Sequence, residues 1–318
     1  MPLGLPQECL RGRDGRTQYE HSSSPVEDPW RTIFQMGDFV TSDNVRLRYH
    51  VRGSGPPVLA CQGGPANISD TLASAIAPLE DAYTLVYHDY RGSGRSEVAP
   101  SATYTYERIS DDLDELRVHL GYERVGVLAH SMGGFVGLNY GLRHPEPCAG
   151  IVLVGTTPAG TPGKIFVPAL RALGPTRTAK SIVLAVWYVA AWSWRPESKD
   201  KQAARYGPMT VTQEGIPAVR DRVKVAMAGP PAPNDNVPQL ERVFARTDLT
   251  GRLHEIRCPA LILYGQRDAV MVAGGEMLMQ GLTNATRVCL PDIGHEPFVE
   301  NPNEAFPPVR EFLATLQY

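Results

Sequence analysis

The stretch Val125-Gly126-Val127-Leu128-Ala129-His130-Ser131-Met132-Gly133-Gly134 decides how the rest of the chain is read. Val125–Ala129 is a short apolar run suited to a buried strand. Ser131 follows at the apex of a sharp turn, and Met132–Arg143 then reads as a helix stopped by His144-Pro145. A strand entering a helix through so tight a turn follows the G-x-S-x-G nucleophile-elbow pattern, with Ala129 replacing the first glycine. Small residues are needed because the turn brings their Cα atoms close to neighbouring backbone, and alanine adds only one methyl. The turn exposes the serine hydroxyl, lays a helix N-terminus beneath it, and aims the Met132 N–H where an oxyanion would form.

Outward from this turn the same alternation recurs. Val45–Val51 alternates apolar and polar residues as a half-wet strand does. Val58–Cys61, Leu85–His88 and Ile151–Val154 are further short apolar runs ended by turn residues. Between them, Ile109, Leu113, Leu116 and Leu120 fall on one helix face, and Gly121 is placed to stop that helix. Strand–helix–strand spacing of this kind predicts an α/β fold with a mostly parallel sheet flanked by helices. After Val154 no strand pattern returns for about 100 residues, too long for an ordinary loop. That interval carries helical patterns at Thr178–Trp194, Pro217–Met227 and Pro238–Phe244, broken by Gly229-Pro230-Pro231-Ala232-Pro233. Strands resume at Ala260–Tyr264 and Arg287–Leu290, with helices near Gly275–Leu282 and Val309–Leu316. Pro307-Pro308 is expected in the first turn of that last helix or before it. The expected organisation is a flexible arm over residues 1–35, a core over 36–157 and 245–318, and a helical cap over 158–244.

A serine hydroxyl is a weak nucleophile and needs a base oriented by a third group. Asp268 lies four residues beyond the strand Ala260–Tyr264, and His295 five residues beyond Arg287–Leu290. Ser131, Asp268 and His295 thus all follow the carboxyl ends of predicted strands, on the edge where open parallel sheets bind ligands. They are the expected catalytic triad. Asp292 competes with Asp268 as a local partner of His295 but suits the turn better. His88 and Asp89 end another strand, either bordering the site or capping a turn. Gln62-Gly63-Gly64-Pro65 follows the strand ending at Cys61. Its glycines let backbone approach a reacting carbonyl, so the Gly64 N–H, with Gly63 as the alternative, is the expected second oxyanion donor beside Met132. Asp89–Ser96 is glycine-rich, yet it fits no phosphate-cradling pattern and reads as a structural loop.

Composition narrows the function classes. The chain has 318 residues, of which 42% are hydrophobic and 20% charged, enough apolar content for a sizeable core. Lys+Arg 31 against Asp+Glu 34 leaves a net charge of −3, so nothing favours nucleic acid as a partner. The five cysteines are dispersed, without any C-x-x-C, which argues against both a disulfide framework and a zinc site. The N-terminus has no secretory h-region, so a cytoplasmic location is expected and the sequons at Asn67 and Asn284 read as chance. The apolar stretch Ile182–Trp192 is far shorter than the roughly 20 residues a membrane span needs.

The blocks QGGPA (62–66), DYRGSGRS (89–96), AHSMGG (129–134), LYGQRD (263–268) and GHEPFVENP (294–302) resemble an α/β-hydrolase-fold serine hydrolase. The resemblance runs over about residues 37–318 apart from the insertion, and Ser131, Asp268 and His295 match that group's chain order. G-G-P followed by D-x-R-G-x-G-x-S is similar to the prolyl iminopeptidase-like branch. The resemblance implies a helical cap inserted between the sixth and seventh core strands and a mechanism without cofactors. Gln62 and Ala66 depart from that branch, whose members read HGGPG. Ala129-His130-Ser131-Met132 departs from its GGSWGG and matches the wording of many esterases. Trp187 and Trp192 in the cap, with Gly63 and His130, are the expected substrate wall for an apolar small molecule. The expected activity is therefore hydrolysis of a carboxylic ester. A prolyl-type aminopeptidase is the alternative, and a ligand-binding or non-hydrolytic biosynthetic member of the fold is a second.

Overall fold

The apolar runs pair into a single sheet. The computed structural model describes residues 33–64, 68–161, 163–164 and 235–318. Its strands are β1 (Ile33–Val40), β2 (Arg46–Gly53), β3 (Pro57–Cys61), β4 (Thr84–His88), β5 (Val125–His130), β6 (Cys148–Val154), β7 (Ala260–Gly265) and β8 (Ala285–Leu290). Among the described residues they form one eight-stranded sheet in the order β1-β2-β4-β3-β5-β6-β7-β8. β2 runs antiparallel to both β1 and β4, and every other pair is parallel. β3 is flanked by β4 on one side and β5 on the other, so the strand order reverses there. Such a reversal opens a crevice at the carboxyl ends of the strands. Cys61 and Ala129, paired in register, stand at its lip.

Helices cover both faces of the sheet. They are α1 (Ser69–Ile76), α2 (Tyr106–His119), α3 (Gly133–Arg143), α4 (Val237–Phe244), α5 (Ala269–Gly281), α6 (Pro297–Glu300) and α7 (Pro302–Ala314). Alternate residues of the central strands feed two separate cores. Leu59, Val127 and Leu153 pack with Leu113 and Leu116 of α2 and Phe135 of α3. Val58, Leu128 and Val152 pack with Leu72 and Ile76 of α1 and Val309 and Leu313 of α7. Burying each of these side chains contributes about 1.5–3 kcal/mol, which is why the central strands read as unbroken apolar runs. Thr105 caps α2 by accepting from the Arg108 N–H at 3.1 Å, and Gly121 (φ 76°) ends it, donating to the Val118 carbonyl.

The Asp89–Ser96 loop is structural, as expected. Asp89 is fully buried and accepts from Ser69 N and Oγ (2.8 and 2.7 Å) and from Arg95 N and Nε (2.9 and 2.8 Å). Arg91, also fully buried, forks onto Asp112 (2.7 and 2.6 Å) and Asp43 (2.8 and 3.0 Å). The Asn236 side chain donates to the Arg91 carbonyl at 2.8 Å, fastening the approach to α4 onto this loop.

Three expectations need correction. Residues 33–35, expected in the arm, begin β1, an edge strand whose described side chains are mostly exposed and show no apolar run. Pro307 and Pro308 lie inside α7, not at its start. They remove the bonds to the carbonyls of Asn303 and Glu304, and both of those residues are exposed, where water can take over. Helix α5 begins at Ala269, six residues before the expected onset near Gly275, because Asp268 caps it.

Residues 1–32 of the expected arm, most of the expected cap, its helices at 178–194 and 217–227, and the apolar stretch 182–192 lie outside the described residues. Residues 158–160 and 247–249, on either side of that interval, are paired: Gly160 N donates to Thr247 O and Leu249 N to Pro158 O, each at 2.9 Å. Cys61, Cys148, Cys258 and Cys289 are free, although Cys148 and Cys258 lie Sγ to Sγ at 3.5 Å. Among the described residues no helix is long and apolar enough to cross a membrane.

Candidate active site

Strand β5 continues one residue past its end, as Ser131 N donates to Val154 O of β6 at 2.9 Å. Ser131 then takes φ 54°, a left-handed conformation uncommon for a residue with a side chain and worth about 1–3 kcal/mol of local strain. Thr156 restrains it: its Oγ1 donates to the Ser131 carbonyl at 2.7 Å. The turn needs room on both sides. A Cβ on Gly63 would stand 2.8 Å from the Ser131 Cβ, so only glycine lets the β3 loop lie against the serine. A Cβ on Gly137 would stand 2.9 Å from the Ala129 Cβ. The methyl that Ala129 adds to the motif is thus accommodated by a glycine one turn into α3.

Helix α3 opens two residues after Ser131, placing its positive end beside the hydroxyl. Neither the Met132 N–H nor the Gly64 N–H has an acceptor among the described residues. Gly64 takes φ 63°.

The loops after β7 and β8 are tied together, with Gln266 N donating to Leu290 O and Arg267 N to Ile293 O, each at 2.9 Å. This brings Asp268 and His295 into contact. Asp268 is 2% exposed, and its two oxygens divide their duties. Oδ1 accepts the Met271 N–H at 3.2 Å and caps α5, while Oδ2 lies 2.7 Å from His295 Nδ1. His295 Nε2 lies 3.0 Å from Ser131 Oγ. An ionised carboxylate only accepts, so Nδ1 carries the proton and Nε2 is left to accept from the serine. Burial pulls the His295 pKa down, but the Asp268 hydrogen bond and the charges of Asp268, Glu296 and Glu300 outweigh it. The net shift is upward from the ordinary histidine value.

The other expected residues fall as follows. Asp292 (φ 59°) is exposed and pairs with Arg267 at 2.8 Å, in the turn rather than on the histidine. His88 is fully buried with its ring edge-on to Tyr90, and Asp89 holds the loop described above. His130 is 7% exposed, and its Nε2 lies 3.1 Å from the His295 carbonyl oxygen, behind the histidine loop. Trp187 and Trp192 lie outside the described residues. Sequence reasoning missed Thr156, whose only signal was a hydroxyl two residues past the end of β6.

Residues 56–173 match the family model of the alpha/beta hydrolase fold. The thermophilic esterase of Thermogutta terrifontis superposes with a TM-score of 0.67 at 25% identity, over 89% of this chain and 98% of that one. The chain has the α/β-hydrolase fold. Its relatives include the proline iminopeptidase PfmaB of Pestalotiopsis fici, 32% identical over 39% of this chain and 45% of the relative. A RutD protein of Rhizobium rhizogenes, whose name proposes a carbamate hydrolase, is 26% identical over 84% of this chain and 97% of its own length. The match to the iminopeptidase spans less than half of that relative.

Proposed function

We propose that this protein is a serine hydrolase that cleaves a carboxylic ester of a small, largely apolar substrate through an acyl-enzyme. One observation carries the reading: an unbroken hydrogen-bonded line from Asp268 through His295 to Ser131, at 2.7 and 3.0 Å. In the first step His295 Nε2 takes the Ser131 proton as Oγ bonds to the carbonyl carbon. The charge that develops on the carbonyl oxygen is held by the Met132 and Gly64 amides. His295 returns the proton to the departing alkoxide, and the alcohol leaves an ester on Ser131. Water, giving a proton to His295, attacks that ester and releases the acid, and the proton returns to Ser131. Asp268 holds the histidine tautomer throughout.

The esterase among the similar structures supports an ester substrate, and the Ala129-His130-Ser131-Met132 wording agrees with it. The stretch shared with PfmaB favours an aminopeptidase as the second reading. Comparing a p-nitrophenyl acyl ester with a proline arylamide separates the two, and a preference for the arylamide would reverse their order. A fluorophosphonate should label Ser131 in the wild type and not in Ser131→Ala, whose kcat should fall by on the order of 10⁴ or more. Folded wild-type protein that takes no label would refute the hydrolase reading.

A further inference from the structure

The loop bearing His295 is held by a carboxylate that takes no part in the relay. Glu300, the last residue of α6, turns back so that Oε2 accepts the Gly294 N–H at 3.0 Å and Oε1 the Glu296 N–H at 2.9 Å. Gly294 and Glu296 are the two neighbours of His295. The Glu300 N–H also donates to the Glu296 carbonyl at 2.9 Å, so backbone and side chain close on the same turn. Glu296 is the N-cap of α6, and the arrangement resembles a capping box in which a side chain deeper in the helix satisfies the cap N–H. Here the second oxygen reaches two residues further back and encloses the histidine. On the remaining side, His130 Nε2 meets the His295 carbonyl oxygen at 3.1 Å.

We infer that Glu300 is a positioning residue for His295, gripping the peptide groups on both sides of it so that one imidazole meets Asp268 and Ser131 together. The inference rests on the proposed role of Ser131. The imidazole must reach partners supplied by two other strands, so a rotation of its loop that improves one contact worsens the other. A displacement of about 1 Å at a reacting group can cost roughly 10²-fold in rate. The upward shift of His295 comes first from Asp268, and the nearby charges of Glu296 and Glu300 add to it in the same direction. A helix cap acting only on stability would leave the rate unchanged, although its charge would still act on the histidine through space.

Two variants of the full chain test this, Glu300→Ala and Glu300→Gln. Glu300→Ala should lower kcat by ~10-fold to ~100-fold with KM within about twofold, and move the His295 titration followed by side-chain NMR to lower pH. Glu300→Gln keeps one accepting oxygen without the charge. It should recover part of kcat while leaving the His295 titration shifted, and it decides the matter if the alanine variant does not fold. If both variants melt earlier but keep kcat within about threefold, the residue is a cap alone and the inference falls, whether or not the His295 midpoint moves. Fluorophosphonate labelling of the wild type separates the two failures. An unlabelled Ser131 with a His295 midpoint that still responds to Glu300→Gln would sink the hydrolase reading, and the positioning of a catalytic base with it.

Discussion

Replacing Asp268 by asparagine tests the relay at its most buried point. The two Asp268 oxygens serve different partners, the Met271 N–H and the His295 Nδ1–H. Asparagine has one oxygen for these two donors. If it keeps the helix cap, its NH2 faces Nδ1, and the imidazole must move its proton to Nε2. That nitrogen then donates to Ser131 Oγ and can no longer accept from it. If the side chain flips, the tautomer survives but the cap is lost, at about 1 kcal/mol, and the carboxylate in contact with the imidazolium no longer stabilises it. Either arrangement impairs proton transfer, and the loss should be on the order of 10⁴ in kcat, or about 5 kcal/mol of barrier.

A second signature accompanies the loss. The His295 pKa is drawn down by burial and lifted by Asp268, with a net rise, so in the wild type the acidic limb of kcat/KM lies above the ordinary histidine value. Without the carboxylate, burial dominates, and the limb of the residual activity should move to lower pH. The linkage has the matching sign. A raised histidine pKa stabilises the fold below the ordinary value and loses that contribution as pH rises through the folded pKa, so the variant should lose stability chiefly at acid pH. Hydrolysis of a p-nitrophenyl ester across pH, with melting followed in parallel, measures both effects. A plateau kcat within tenfold of wild type, with an unmoved limb, would show that Asp268 does not orient the base.

Two further outcomes follow from the packing around the site. His50 and His88 are buried and held neutral, chiefly by burial, with pKa values lowered from 6.5 to about 4. The unfolded chain binds their protons first as pH falls below 6.5, so each should cost about 2 kcal/mol of stability between pH 7 and pH 5. Urea unfolding of His88→Phe should show a shallower acid loss than the wild type, and an equal loss in both would be contrary evidence. Gly137→Ala sets two methyl carbons 2.9 Å apart across the β5–α3 contact, and overpacking of this kind costs about 1–3 kcal/mol. Activity and melting temperature should both fall and should recover in the Ala129→Gly/Gly137→Ala double variant. No recovery would mean that the clash is not between these two residues.

The turn at 125–134 was legible because its information is local: a buried strand, one apex serine and small residues on either side are contiguous in the chain. Asp268 and His295 were legible almost as directly, since parallel strands send every following loop to one edge. What the sequence did not disclose was whatever depends on partners far away in the chain. Strand β1 owes its ladder to β2 rather than to an apolar pattern of its own. The prolines of α7 are tolerated because the carbonyls they deprive belong to exposed residues, a property of the surface and not of the Pro307-Pro308 pair. The exchange of methyl space between Ala129 and Gly137, the grip of Thr156 on Ser131 and that of Glu300 on the His295 loop were likewise decided in three dimensions. Periodicity and turn chemistry act over a few residues and specify elements. Register, close approach and the aim of a side chain arise only when elements from distant parts of the chain exclude one another from the same space.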